Sequence, residues 1–109
     1  MIKNKTSFNY KISVIIPCFN CSETIERAIM SVVNQSLCPH EIILIEDNSD
    51  DNSKTIKKLV QLQCKFKNYI KIIKNQKNMG PGFSRNLGWE KSQGNLLAFL
   101  DADDTWHLK

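Results

Sequence analysis

The chain is poor in glycine and proline, with four and three of them in 109 residues, and it has no glycine-rich loop after its first apolar segment. No stretch approaches the roughly 20 apolar residues of a membrane span. Residues 2–10 are mostly polar, which argues against a signal peptide. Aromatic strand motifs, zinc-finger spacing and long basic helices are also missing. We therefore expect a cytoplasmic protein with no nucleic-acid partner, and peripheral attachment at the inner face of the cell membrane stays open.

The four cysteines do not form a zinc-binding pattern. Cys18 and Cys21 have the Cys-x-x-Cys spacing of a zinc site or a redox pair. Zinc would need a second close pair, but Cys38 and Cys64 are far apart and lack histidines at ligand spacing. We interpret the cysteines as incidental thiols of a protein from a reducing compartment.

Size and charge are those of one ordinary globular domain. Hydrophobic residues make up 41% of the chain and charged residues 24%. The net charge of +4 comes mostly from lysines between Lys54 and Lys77. We interpret these lysines as a solvated helix face and loop, with a membrane-surface or phosphate-attracting patch as the alternative.

Strand-like and helix-like segments alternate along the chain. Short apolar, β-branched runs predict strands at residues 11–17, 41–46, 69–74 and 95–100. Three- and four-residue spacing of apolar side chains predicts helices at residues 21–35 and 51–66. Pro81 suits the first position of a third helix, at residues 81–92, and we expect Gly94 to end it. In the second helix, we expect Ile56, Leu59, Val60 and Gln63 to point inward. This order predicts an α/β fold with a Rossmann-like, doubly wound and mainly parallel sheet.

Two of the predicted strands end in carboxylates. The fourth strand leads into Asp101, Asp103 and Asp104, and the second ends at Glu46 and Asp47. Clustered carboxylates are costly at a sheet edge unless they are neutralised. Mg²⁺ and Mn²⁺ bind carboxylate oxygens and keep positions open for phosphate. Ligands in such sheets bind outside the carboxyl ends of the strands, so we expect both groups to face one crevice. A solvated acidic turn is the alternative.

Four segments together resemble the inverting family-two glycosyltransferases with the GT-A fold. Residues 13–20 resemble the family's first strand. Residues 46–51 resemble its Asp-Asp-Gly-Ser turn, with Glu46 in place of the first aspartate and Asn48 in place of the glycine. Residues 78–88 are similar to its Asn-x-Gly and Ala-Arg-Asn-x-Gly segment, with Ser84 in place of alanine, and residues 100–104 match its DxD motif. The order and the spacing are those of the family. Asn48 fits this turn if it takes a left-handed conformation.

The resemblance implies that residues 1–109 are the N-terminal, nucleotide-sugar-binding part of such an enzyme. It implies a nucleotide diphosphate-sugar donor, above all a UDP-sugar, a glycan or lipid-linked acceptor, and Mn²⁺ or Mg²⁺ as cofactor. By position, the donor-binding residues are Pro17, Phe19, Asn20, Glu46, Asp47, Ser49, Gly80, Arg85, Asp101 and Ala102. The metal ligands would come from Asp103, Asp104 and Asp101, with Asp103 the favoured direct ligand.

The resemblance also has consequences for catalysis by the chain alone. The family's general base and acceptor site are expected beyond Lys109, so we assign no catalytic residue. We expect no sugar transfer by the 109-residue chain and expect uncovered apolar surface to favour its self-association.

For Arg85, the alternative to a ligand role is a surface ion pair with Glu90 or Asp101.

Other functional classes remain as alternatives. A nucleotidyltransferase or similar phosphate-handling enzyme would be expected to have a glycine-rich loop after the first strand, where this chain has Cys-Phe-Asn-Cys at residues 18–21. A receiver domain would need its acidic pair after the first strand rather than the second. A non-catalytic nucleotide-binding module also fits these residues.

Overall fold

Four parallel strands form the centre of the protein. The computed structural model describes residues 10–35, 39–66 and 69–106. Its elements in chain order are β1 (Ile12–Cys18), α1 (Ile25–Val33), β2 (Glu41–Glu46), α2 (Lys54–Lys65), β3 (Ile70–Lys74), α3 (Pro81–Lys91) and β4 (Leu96–Phe99). None of these helices is long and apolar enough to cross a membrane. The predicted alternation of strands and helices is confirmed.

The strand order creates a crevice beside β1. The order across the sheet is β3-β2-β1-β4, with every neighbouring pair parallel. The chain proceeds outward from β1 to β3 and then returns to place β4 on the other side of β1. At such a reversal, the loops that follow neighbouring strands diverge and leave room for a ligand. The predicted doubly wound α/β sheet is therefore confirmed, and its switch point lies between β1 and β4.

The two faces of the sheet are covered unequally. Helices α1 and α2 pack on one face, in a core cluster that includes Ile16, Ile29, Leu44 and Leu59. Helix α3 packs on the other face, against a smaller cluster built on Ile15, Ile43 and Ile45. Because β1 and β2 have buried side chains on both faces, their sequences are continuous apolar runs instead of alternating ones.

The structure corrects three predictions: the first residues of α1 and α2, and the set of α2 side chains that face the core. Helix α1 begins at Ile25, four residues after the predicted start, and α2 begins at Lys54 instead of residue 51. Ser53, immediately before α2, has a φ of 67°, which is incompatible with a right-handed helix. The prediction that Val60 points inward is wrong: it is 47% exposed, and the buried residues of α2 are Thr55, Leu59 and Leu62.

A polar network closes the amino-terminal end of the sheet. The buried Glu41 carboxylate accepts hydrogen bonds from Ser13 Oγ (2.6 Å) and the Gln93 amide (2.5 Å), and it pairs with Lys71 Nζ at 2.7 Å. The Gly94 amide donates to Ser13 Oγ at 2.9 Å. We expected this glycine to end α3, but α3 ends at Lys91. Any side chain at residue 94 would collide with the strand β1 backbone, so the glycine is needed for this close approach.

Candidate functional site

A pocket of about 340 Å³ opens at the carboxyl ends of β1, β2 and β4. Seven of the residues predicted from the sequence line it: Pro17, Phe19, Asn20, Asp47, Asp101, Ala102 and Asp103. The parallel strands explain this convergence, because their carboxyl ends lie at one edge of the sheet. The structure thus brings the two acidic strand ends to one crevice.

Asp47 is held rigidly in the wall of this pocket. It is only 3% exposed. Its Oδ1 accepts hydrogen bonds from Asn75 Nδ2 (2.9 Å) and the Met79 amide (2.8 Å), and its Oδ2 accepts one from the Gly80 amide (2.9 Å). The φ of 91° at Gly80 favours glycine and orients that amide. Each carboxylate oxygen can accept two hydrogen bonds, so Oδ2 keeps one position for a ligand.

Five predicted residues do not line this pocket: Glu46, Ser49, Gly80, Arg85 and Asp104. Glu46 and Ser49 lie on a separate polar hollow of about 230 Å³. Glu46 Oε1 accepts a hydrogen bond from the backbone N–H of Ser49 at 2.8 Å, and Ser49 Oγ accepts one from the backbone N–H of Asn20 at 2.9 Å. Asn48, between them, has a φ of 57°, which confirms its expected left-handed conformation. In this structure Glu46 and Ser49 shape the β2–α2 loop, and their contact with a ligand stays a prediction.

Asn20 links the two loops that border the pocket. Its Nδ2 donates to Asp50 Oδ1 at 2.7 Å, and its Oδ1 accepts from the Asp50 amide at 3.0 Å. Its own φ of 50° is left-handed, a region that asparagine tolerates better than most residues. The side-chain amide is therefore committed to fixing the β1–α1 loop against the β2–α2 loop.

The acidic segment after β4 forms a turn. The Asp104 amide donates to the Asp101 carbonyl at 3.0 Å. Asp104 Oδ1 accepts from the next amide, that of Thr105, at 2.8 Å. Asp101 Oδ1 accepts from Arg85 Nη2 at 3.1 Å, so the structure shows the ion pair with Asp101 and not the one with Glu90. Asp101 and Asp103 belong to the pocket wall, whereas Asp104 is outside it.

Helix α1 fixes the position of this turn. Arg27 Nη2 donates to the Asp103 carbonyl at 3.2 Å, and Ser31 Oγ accepts from the Trp106 amide at 3.0 Å. Trp106 also packs against the large core cluster. Arg27 gave only a weak signal in the sequence: it is a cation off the apolar stripe of α1, and nothing local shows that it reaches a segment 76 residues away.

The donor atoms of the turn fit a hard cation that is only partly coordinated by protein. Asp101 and Asp103 border the pocket, and each carries a carboxylate, the ligand type that hard cations prefer. Within residues 10–35, 39–66 and 69–106, no three histidine, cysteine or acidic side chains come together as a complete metal site. Mg²⁺ is commonly held in this way, by one or two carboxylates together with substrate phosphates.

Several residues of the pocket were missed by the sequence analysis. They are Cys18, Cys21, Thr24 and Pro81 in the wall, and Asn75 behind Asp47. The Cys-x-x-Cys spacing was the available signal for the cysteines. Asn75 is only 8% exposed, and no local pattern indicated that it supports a carboxylate 28 residues earlier.

Comparison with known proteins gives one consistent family. The family described as "Glycosyl transferase family 2" matches residues 13–109. The chain is 43% identical over 98 residues to a cholesterol galactosyltransferase of Borreliella burgdorferi, covering 88% of this chain and 26% of that protein.

Two solved structures extend the comparison. The crystal structure of S. aureus TarS 1-349 in complex with UDP-GlcNAc has a TM-score of 0.71 and 29% identity, over 87% of this chain and 27% of that one. The crystal structure of GalNAc-T7 with UDP, GalNAc and Mn²⁺ has a TM-score of 0.72 and 28% identity, over 85% of this chain and 18% of that one. The chain therefore spans less than a third of each of these relatives.

Proposed function

The chain belongs to glycosyl transferase family 2, and we propose that its pocket binds the nucleotide diphosphate-sugar donor of a metal-dependent inverting glycosyltransferase. One observation carries this proposal: Asp47, Asp101 and Asp103 lie around one pocket at the switch point of the sheet. Its volume of about 340 Å³ is within the usual range for small-molecule sites.

The nucleoside is assigned to the Asp47 side of the pocket. The open position on Asp47 Oδ2 can accept the N3–H of uracil or a ribose hydroxyl. Because Asn75, Met79 and Gly80 already hold the carboxylate, a ligand gains this hydrogen bond without the cost of ordering the side chain. The solved TarS complex with UDP-GlcNAc supports a UDP-sugar as the donor.

The diphosphate is assigned to the turn that follows β4. Asp103 would hold Mn²⁺ or Mg²⁺, with Asp101 and Asp104 in the same turn as further or water-mediated ligands. Such an ion, when bound, neutralises the charge that develops on the diphosphate leaving group. Arg85 lies beside Asp101, where its guanidinium can donate charge-assisted hydrogen bonds to phosphate oxygens. The GalNAc-T7 complex with UDP and Mn²⁺ supports this assignment.

The acceptor is proposed to be a glycan or a lipid-linked molecule. Inversion requires a base that takes the proton of the attacking hydroxyl. The pocket carboxylates are assigned to nucleotide and metal, so we place the base outside residues 10–106. The Borreliella burgdorferi relative, named as a cholesterol galactosyltransferase, supports an acceptor resident in the membrane, and the protein would then work as a peripheral protein at the inner face.

Calorimetric titration of the 109-residue chain tests donor binding. UDP and UDP-GlcNAc should bind, and more tightly with Mn²⁺ than without it. CDP is the matched control, because cytosine has a lone pair at N3 in place of the N–H that Asp47 would accept. We expect CDP to bind at least about tenfold more weakly, a difference of about 1.4 kcal/mol. Failure of UDP to bind with Mn²⁺ would overturn the proposed donor site, and equal affinity for CDP would rule out the contact with uracil N3–H and leave Asp47 to the ribose.

A further inference from the structure

Two cysteines in the pocket wall have no role in the proposed reaction. Cys18 is the last residue of β1, and Cys21 lies three residues later in the loop before α1. Both cysteines are free and buried, with exposed fractions of 0% for Cys18 and 5% for Cys21, and both residues border the pocket. Their sequence pattern favours incidental thiols, but the structure places them beside the proposed donor-binding residues.

The two sulfur atoms are neighbours in a fixed stretch of backbone. The Cys18 thiol donates to the Ile16 carbonyl oxygen at 3.4 Å, and its S–H can turn to the neighbouring Cys21 sulfur instead. The Cys21 amide donates to Thr55 Oγ1 at 2.9 Å, and the Cys21 carbonyl accepts from the Ile25 amide at 3.0 Å. Helices α1 and α2 therefore hold Cys21 in place against the end of β1.

The two thiols are chemically unequal. When Cys21 is ionised, a hydrogen bond from the Cys18 thiol stabilises the thiolate and lowers the pKa of Cys21, and this effect outweighs burial, which acts in the opposite direction. The same hydrogen bond, with burial, raises the pKa of Cys18 well above its ordinary value. The thiolate is the reactive form of cysteine, so Cys21 is the nucleophile of the pair and Cys18 remains a thiol.

We propose that Cys18 and Cys21 form a peroxide-sensitive dithiol whose closure to a disulfide weakens donor binding. Formation of the disulfide rests on the positions of the two cysteines in the fold, whereas its effect on the donor rests on the proposed function. The oxidant is hydrogen peroxide, a neutral molecule small enough to enter a pocket of about 340 Å³.

The reaction has two balanced steps. The Cys21 thiolate attacks one oxygen of the peroxide: an S–O bond forms, the O–O bond breaks, and the departing hydroxide becomes water by taking up the proton that Cys21 released when its thiolate formed. The Cys18 sulfur then attacks the sulfenic acid of Cys21. An S–S bond forms, the S–O bond breaks, and the departing hydroxide leaves as a second water with the Cys18 proton. The two thiols lose two electrons in total, and the peroxide gains them.

The disulfide would change the shape of the donor pocket. Its sulfur atoms must lie about 2.05 Å apart, much closer than two hydrogen-bonded thiols. Phe19 and Asn20, the residues between the cysteines, are themselves part of the pocket wall. Asn20 is tied to Ser49 and Asp50, so the contraction cannot be absorbed freely and must displace this wall.

Mass spectrometry of the peroxide-treated chain tests disulfide formation. The chain carries Cys38→Ser and Cys64→Ser, which leave Cys18 and Cys21 as the only thiols. One tryptic peptide, residues 12–27, contains both. It should lose the mass of two hydrogen atoms after treatment and regain it with dithiothreitol. A persistent thiol pair, added oxygen atoms or a cross-link between two chains would each overturn the proposal.

Trapping with dimedone tests the assignment of the nucleophile. Cys18→Ser keeps a hydrogen-bond donor beside Cys21 and should accumulate dimedone-labelled sulfenic acid there. Cys21→Ser should be labelled at Cys18 about tenfold more slowly, because Cys18 is fully buried and burial keeps its thiol protonated even without Cys21. Equal rates would overturn the assignment. Cys18→Ala provides a second variant if circular dichroism shows that Cys18→Ser does not fold.

The effect on the donor is measured separately. The oxidised chain should bind UDP with Mn²⁺ about tenfold more weakly than the reduced chain, and dithiothreitol should restore the affinity. A disulfide without change in affinity would overturn the inhibitory half of the proposal. Absence of UDP binding by the reduced chain would instead contradict the proposed function, and the disulfide measurement would still decide the chemistry.

Discussion

Arg85 donates from Nη2 to Asp101 Oδ1 across 3.1 Å and thereby joins α3 to the turn after β4. Their side chains are 38% and 63% exposed, respectively, and ion pairs at such positions contribute less than about 1 kcal/mol to folding. Asp101 belongs to the pocket wall. The ion pair therefore holds a guanidinium next to the place where we propose that a diphosphate binds.

Removing the guanidinium should affect ligand binding more than folding. We expect Arg85→Met to lower the affinity for UDP with Mn²⁺ by about 1.5–3 kcal/mol, the value of a hydrogen bond to a charged group. The midpoint of thermal unfolding should change little. Calorimetry and a thermal melt measure the two effects. Lys91→Met is the matched control, because it removes a different cation of α3, one that is far along the helix from the pocket. If Lys91→Met lowered the affinity for UDP by the same amount, Arg85 would have no specific role.

Asp47 should contribute to both binding and stability. In Asp47→Asn an amide group replaces one carboxylate oxygen, and it would face the amide of Met79 or Gly80, both of which are donors. We expect about 1–3 kcal/mol less stability and an affinity for UDP lower by about 1–3 kcal/mol. Urea denaturation and calorimetry at a temperature where the variant is folded separate these effects.

Asn75→Ala provides the control for the Asp47 variant. It removes the hydrogen bond to Asp47 Oδ1 but leaves the open position on Oδ2. Stability should fall, while the affinity for UDP should fall less than in Asp47→Asn. If folded Asp47→Asn bound UDP as tightly as the parent chain, the proposed contact with the nucleoside would be wrong.

Arg27 should matter only when metal is present. Its hydrogen bond fixes the Asp103 carbonyl, so Arg27→Met should loosen the turn that we propose holds the cation. We expect the gain in UDP affinity on adding Mn²⁺ to fall about three- to tenfold, for the loss of roughly 1 kcal/mol. UDP binding without metal should not change. Lys57→Met is the control, because it removes a cation from the exposed face of α2. An undiminished Mn²⁺ effect in Arg27→Met would show that this hydrogen bond does not position the turn.

The sequence was sufficient to predict the sheet and the convergence of its strand ends. The reason is that burial on both faces leaves continuous apolar runs at β1 and β2, and the carboxyl ends of parallel strands share one edge. The position of Asp47 and Asp101 beside one pocket follows from these two facts. Such patterns are local along the chain, and local patterns can be read without a structure.

Features that depend on tertiary contacts could not be predicted. Thr55 is buried in α2 because its hydroxyl donates to Asp51 Oδ2 and accepts from the Cys21 amide. That pairing across 34 residues shifts the buried face of the helix away from Val60. The buried carboxylate of Glu41 likewise depends on partners from three other segments. Neither partner set leaves a periodic signal in the sequence.

Glu41 should make folding sensitive to acid. Burial alone would raise its pKa, but the Gln93 amide, Lys71 and Ser13 outweigh burial and lower the pKa from an ordinary value of 4.5 to about 2. The folded state thus binds the proton more weakly than the unfolded state does. The resulting stabilisation is fully present above about pH 4.5 and is lost as the pH falls toward 2. At about 1.4 kcal/mol per pH unit, it amounts to roughly 3 kcal/mol.

Urea denaturation of the 109-residue chain at several values between pH 7 and pH 2.5 measures this contribution. Glu41→Gln should be less stable than the parent chain at pH 7, because the amide cannot pair with Lys71 and its NH₂ group opposes a donor. The difference should shrink as the pH falls below 4.5, since the parent loses stabilisation that the variant never had. Glu90→Gln replaces an exposed glutamate of α3 and should follow the parent curve throughout. A difference between Glu41→Gln and the parent that stays constant down to pH 2.5 would contradict the lowered pKa, because the lost stability would then come from packing or neutral hydrogen bonds.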